Sequence, residues 1–172
     1  VSQSSSRGPT DDNRIKPDII APGAYVRSCL SQDATDTSGG SVQTGGWYIE
    51  YSGTSMATPN AAGSAALIRE YILEIAQRPA PQGALVKALL VLGARDLGNR
   101  DIPNNDEGWG RIDLQNTLAP SDRGIWVDDR SVLSGTGNVK TYTFNVTTSG
   151  QPFKAVLCWS DERGSRFSTN QL

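Results

Sequence analysis

The chain has 172 residues, a formal charge of −2, 37% hydrophobic and 20% charged residues, which fits one ordinary globular domain or two small ones. A sequence pI near 5.1 offers no basic field for phosphate, which argues against nucleic acid as a partner. No apolar run approaches the roughly 20 residues needed to cross a bilayer, and Val1-Ser2-Gln3-Ser4 lacks the charged start and apolar core of a signal peptide.

Residues 1–14 are rich in Ser, Asp and Gly and read as surface loop. Ile19-Ile20 and 25–30 read as short strands separated by the Ala21-Pro22-Gly23 break. The polar stretch 31–46 reads as an exposed loop; Asp33 and Asp36 offer carboxylates to calcium, but their spacing matches no calcium-loop motif, so a solvated loop is the preferred reading. Trp47 to Ser52 is aromatic and β-branched and reads as a strand. A small-residue helix follows, expected to end near Arg78-Pro79, with Pro59 in its first turn, where a missing N–H costs little. Its run of Ala57, Ala61, Ala62, Gly63, Ala65 and Ala66 suits a helix passing close to neighbouring backbone in a core. A second helix places Leu85, Ala88, Leu89 and Leu92 on one apolar face, with Gly93 near its end.

Beyond Pro120 the pattern changes. Residues 139–147 alternate with period two, setting Tyr142, Phe144 and Val146 on one face, and 125–133 and 153–159 supply further candidate strands. Turns at 135–137 and 149–150 give the spacing of a β-sandwich with Trp126, Phe144, Phe153 and Trp159 as candidate core aromatics. Asn145-Val146-Thr147 is a glycosylation sequon whose Asn145 falls on the opposite face. Cys29 and Cys158 read as free, buried cysteines, with no histidine present to activate either.

The chemistry centres on Gly53-Thr54-Ser55-Met56-Ala57-Thr58-Pro59, which sets a serine at the joint between an extended segment and a helix. Unpaired N–H groups and the positive end of the helix dipole favour an oxyanion there. An isolated serine at a helix start is usually a structural cap, so the spacing alone favours that reading. The longer run 52–59 with Ala62-Gly63, however, resembles the nucleophile segment of the subtilisin-like serine proteases. Ser5-Ser6-Arg7-Gly8-Pro9 and residues 16–23 resemble upstream segments of that family, in the right order, and Gly108-Trp109-Gly110-Arg111-Ile112 resembles a turn near the end of its catalytic domain, which makes Trp109 structural.

The resemblance implies an α/β fold: the C-terminal portion of a parallel-sheet catalytic domain over residues 1–119, followed over 120–172 by the beginning of an antiparallel jelly-roll β-sandwich. It implies Ser55 as nucleophile and the Thr54 and Ser55 region as oxyanion-hole support, with protein or peptide as substrate and a secreted or extracellular location. No cofactor is identified. Asn60 stands where many relatives carry histidine. The family's catalytic Asp and His precede the serine, and this sequence holds no histidine at all, so a triad needs the N-terminal part of the catalytic domain from outside these residues. The alternatives are a catalytically inactive, pseudoprotease-like fragment, which the upstream sequence would decide, and a binding module centred on the sandwich.

Overall fold

The computed structural model describes residues 1–98, 101–120, 124–128, 130–131, 133–147, 149–150 and 153–160. Among them are three strands, β1 (Val26–Cys29), β2 (Ser41–Val42) and β3 (Tyr48–Tyr51), and three helices, α1 (Thr54–Glu74), α2 (Gly83–Gly93) and α3 (Leu114–Leu118).

The strands form one antiparallel sheet in the order β1-β3-β2, with Val26 opposite Tyr51 and Cys29 opposite Tyr48. The expected parallel sheet is therefore not what this sheet is. The one parallel pairing among the described residues is the bridge of Ile20 to Arg111, a single contact where Ile20 had been expected to belong to a strand. The reason is connectivity: β2 and β3 are joined by a short turn, which permits only antiparallel pairing, whereas parallel strands need long crossovers. β2 itself lies within the stretch read as loop, recruited by β3 through bonds such as Gln43 N–H to the Tyr48 carbonyl at 2.9 Å.

The core lies between α1 and α2. Ile68 and Ile72 of α1 meet Leu85, Leu89 and Leu90 of α2, with Ile19, Ile112, Leu114 and Leu118 packed at the edge. The expected α2 face holds at Leu85 and Leu89, and Leu90 and Val91 are buried as well. Gly93 ends α2 against α3: a Cβ there would stand 2.0 Å from Thr117 Oγ1, so only glycine allows the approach. α3 begins at Asp113, whose side chain accepts the Asn116 N–H.

α1 departs from expectation in two ways. It ends at Glu74, short of Arg78, with the Ala76 N–H turning back to the Tyr71 carbonyl. Its small residues also divide between two faces. Ala57, Ala61 and Ala65 are half-buried, but Ala62, Gly63 and Ala66 are exposed, while the core that α1 shares with α2 and α3 gathers around Ile68 and Ile72.

The described residues after Pro120 contain no strand, and residues 161–172 of the proposed sandwich lie outside the described set. The period-two face is nonetheless gathered: the Trp126 ring meets Tyr142 at 4.8 Å and Phe144 at 5.4 Å, and Phe144 meets Phe153 at 5.6 Å. These rings, expected to be buried, are exposed, Phe144 by 44% and Phe153 by 64%; Trp159 is exposed too. Three candidate strands cannot enclose a sandwich core, so one side of every ring faces solvent. Ile125 and Val127 do pack against the α1–α2 core.

Candidate functional site

β3 turns into α1 within two residues, Ser52 and Gly53. Gly53 makes this turn at φ 158° and ψ 169°, a conformation that a side chain strongly disfavours. Gly53 occupies the cap position and supplies no side-chain cap, so Ser55 is the second residue of the helix rather than its cap. Its side chain is exposed, as is that of Thr54.

The Met56 and Ala57 N–H groups both turn to the Gly53 carbonyl, at 3.1 and 3.3 Å. Those of Thr54 and Ser55 fall where a helix has no acceptor of its own, at the positive end of its dipole. An exposed hydroxyl thus stands beside two unpaired donors, an arrangement suited to a developing oxyanion once a base takes the hydroxyl proton.

A second segment is stitched to this elbow. The Gly53 N–H donates to the Gly23 carbonyl at 2.7 Å, the Tyr25 N–H donates to Ser52 Oγ at 2.8 Å, and Asn60 Nδ2 donates to the Pro22 carbonyl at 2.7 Å. A Cβ at position 23 would stand 2.6 Å from the Gly53 carbonyl oxygen and 2.9 Å from the Ala57 methyl, so the backbones meet only because residue 23 is glycine. Two of the three sequence segments linked to the same chemistry, 16–23 and 52–59, therefore adjoin. The third meets the far end of the 16–23 segment, where the Gly8 N–H donates to the Lys16 and Asn105 carbonyls at 2.9 and 3.1 Å.

Pro59 lies inside α1, in its second turn rather than its first. The N–H it lacks is the one that would have bonded the Ser55 carbonyl. Side chains work on either side of the gap: Thr58 Oγ1 donates to the Thr54 carbonyl at 2.9 Å, and Asn60 Nδ2 reaches the Met56 carbonyl at 3.2 Å.

The other candidates resolve into structural parts. The Trp109 N–H donates to the Asp18 carbonyl at 2.9 Å, and the Ile20 N–H donates to the Gly110 carbonyl at 3.0 Å, so this turn anchors the segment leading to Gly23. Glu107, two residues before Trp109, is fully buried and accepts from the Leu97 N–H at 3.1 Å and Asn104 Nδ2 at 3.3 Å. Sequence reading missed that role; the Asn104-to-Glu107 spacing between turn residues was the available signal. Asp36 accepts the Ser38 N–H at 2.8 Å, which draws its carboxyl below the ordinary value. Cys29 is exposed rather than buried, because it closes β1 at the sheet margin; Cys158 is half-buried, and both are free.

Shifted titratable groups sit away from the elbow contacts. Burial works to raise the Asp18 carboxyl, but hydrogen bonds from Lys16 and Lys87 outweigh it and hold the group below its usual range. The Lys87 Nζ to Asp18 Oδ1 distance is 3.1 Å. Burial raises the Cys158 thiol. Among the described residues, no cluster of three or more metal-ligating side chains occurs.

The comparisons with known proteins specify the family. The model of the subtilase family, the peptidase S8 group, matches residues 1–110, and the chain belongs to that family. The chain is 40% identical over 151 residues to the serine protease/ABC transporter B family protein tagD of Dictyostelium discoideum, covering 70% of this chain and 8% of that protein. It is 39% identical over 119 residues to serine protease AprX of Bacillus subtilis, covering 69% of this chain and 25% of that one. Among solved structures, the CspB protease of Clostridium perfringens matches at a TM-score of 0.51 and 28% identity, over 64% of this chain and 21% of that chain. The chain thus spans at most a quarter of the length of these relatives.

Proposed function

We propose that this chain is the nucleophile-bearing part of a serine endopeptidase and that Ser55 attacks the scissile carbonyl. The observation that carries this reading is the exposed Ser55 hydroxyl in the first turn of α1, left out of capping, within the span that matches the subtilase family. As the Ser55 Oγ–carbon bond forms, the Oγ proton passes to a histidine outside this chain, oriented by an aspartate also outside it. The developing oxyanion is met by the Ser55 N–H, with Thr54 in support. Collapse breaks the peptide C–N bond, the histidine returns the proton to the leaving amine, and water then hydrolyses the acyl-enzyme. Protein or peptide is the substrate, and an extracellular location follows from the same reading.

Residues 1–119 belong to the catalytic unit on this proposal, and 120–172 begin a β-rich unit that rests on it. The gathering of Trp126, Tyr142 and Phe144 on one side supports that division. In the full-length protein a fluorophosphonate should label Ser55, and Ser55→Ala should lower kcat by at least about four orders of magnitude. Labelling at another serine, or retention of activity in Ser55→Ala, overturns the proposal. Lack of labelling in a correctly folded full-length protein would identify the alternative, an inactive member of the family.

A further inference from the structure

The first turns of α1 face a mechanical problem. Pro59 removes the hydrogen bond that would fix the Ser55 carbonyl to the next turn, and Gly53, just before the helix, is held in a conformation without side-chain support. The residue after the proline answers this. Asn60 projects one amide nitrogen between two carbonyls, Pro22 at 2.7 Å on the neighbouring segment and Met56 at 3.2 Å on its own helix. Asn60 and Pro22 lie 38 positions apart in the chain.

We propose that Asn60 is a positioning residue: beside the gap left by Pro59, its side-chain amide bridges the Met56 and Pro22 carbonyls and locks the Ser55 turn against the Pro22-Gly23 segment. This rests on the reading of Ser55 as nucleophile. The geometry assigns the work to the donor rather than to bulk. Both acceptors are carbonyl oxygens, and Asn60 is itself exposed. The neighbouring bonds, Gly53 N–H to Gly23 and Tyr25 N–H to Ser52, involve the same two segments, so loss of the Asn60 bond leaves the elbow held at its strand side and free at its helix side. Ser55 lies on the freed side. A nucleophile displaced by about 1 Å loses on the order of a hundredfold in rate.

The test uses the full-length protein, with the rate of fluorophosphonate labelling at Ser55 and kcat and KM on a peptide substrate as readouts, in Asn60→Ala, Asn60→Asp and Asn60→His. Asn60→Asp keeps the shape but sets a carboxylate against two carbonyl oxygens; Asn60→His retains a ring N–H to donate. Labelling and kcat should fall about ten- to a hundredfold in the Ala and Asp variants, with KM changed by less than about twofold, and the His variant should return to within about threefold of the parent. Labelling of Asn60→Ala at the parent's rate overturns the inference while leaving Ser55 as nucleophile; absence of Ser55 labelling in the parent itself removes the reading on which it rests. Should Asn60→Ala not fold, the Asp and His pair decides: equal rates in the two overturn the proposal, and a faster His variant supports it.

Discussion

In the α1–α2 layer, Ile68, Ile72, Leu85 and Leu89 are buried by partners on helices whose backbone bonds are already closed. In residues 124–160, Trp126, Tyr142, Phe144 and Phe153 touch one another on a segment with no strand among its described residues, and each ring stays open to solvent. The two regions have comparable apolar side chains and differ in what stands behind them. Apolar burial is proportional to area removed from water, so the first region holds the fold and the second decorates it until something covers its rings.

The comparison can be broken at its strongest point. Ile68 is fully buried, and Ile68→Ala should destabilise the protein by about 2–5 kcal/mol, measured by denaturant unfolding. Phe144→Ala should cost about 1–2 kcal/mol, since its ring contacts with Trp126 and Phe153 are worth roughly 0.5–1.5 kcal/mol each and much of the ring is already in water. A loss for Phe144→Ala equal to that of Ile68→Ala would mean that the ring face is covered in the full-length protein. The smallest effect belongs to Asp18, which pairs with Lys87 of α2 and borders the cavity of about 300 Å³ lined by Trp109 and Cys158. Its carboxyl is lowered from 3.8 in the folded state, so its contribution is present above that value and lost as pH falls through the lower folded one. The side chain is partly exposed, so Asp18→Asn should cost less than about 1 kcal/mol at pH 6. The two unfolding curves should converge as the solution is taken well below pH 3.8; a gap that widens in acid would contradict this account.

Local pattern foretold the elements whose causes are local. β3, α1 and α2 follow from β-branched and helical periodicities, and the Leu85–Leu89 spacing named the buried face of α2. α3 was passed over although Asp113 is a good cap for it, because a five-residue helix leaves too little period to detect. The serine elbow was legible as a run of residues, but its supports were not. Ser52 with Tyr25 and Asn60 with Pro22 pair across 27 and 38 positions, and no periodicity encodes such contacts. Pro59 was misread by one turn because the helix begins at Thr54, and where a helix starts depends on Gly53's backbone angles, which sequence does not display. The exposure of Ala62 and Ala66 is likewise a property of what packs nearby rather than of alanine.

The break at Pro59 divides α1 into two unequal lengths of different cooperativity. From Ile68 to Ile72 the helix opens only when the α1–α2 layer opens, at a cost near that of global unfolding. The five residues from Thr54 to Thr58 lie outside that layer and have lost one rung to the rest of the helix, so their amide hydrogens should exchange faster than those from Ile68 to Ile72. The serine is thereby carried on the part of the helix least coupled to overall stability, and a substitution can weaken the fold without shifting the hydroxyl, or shift the hydroxyl without weakening the fold.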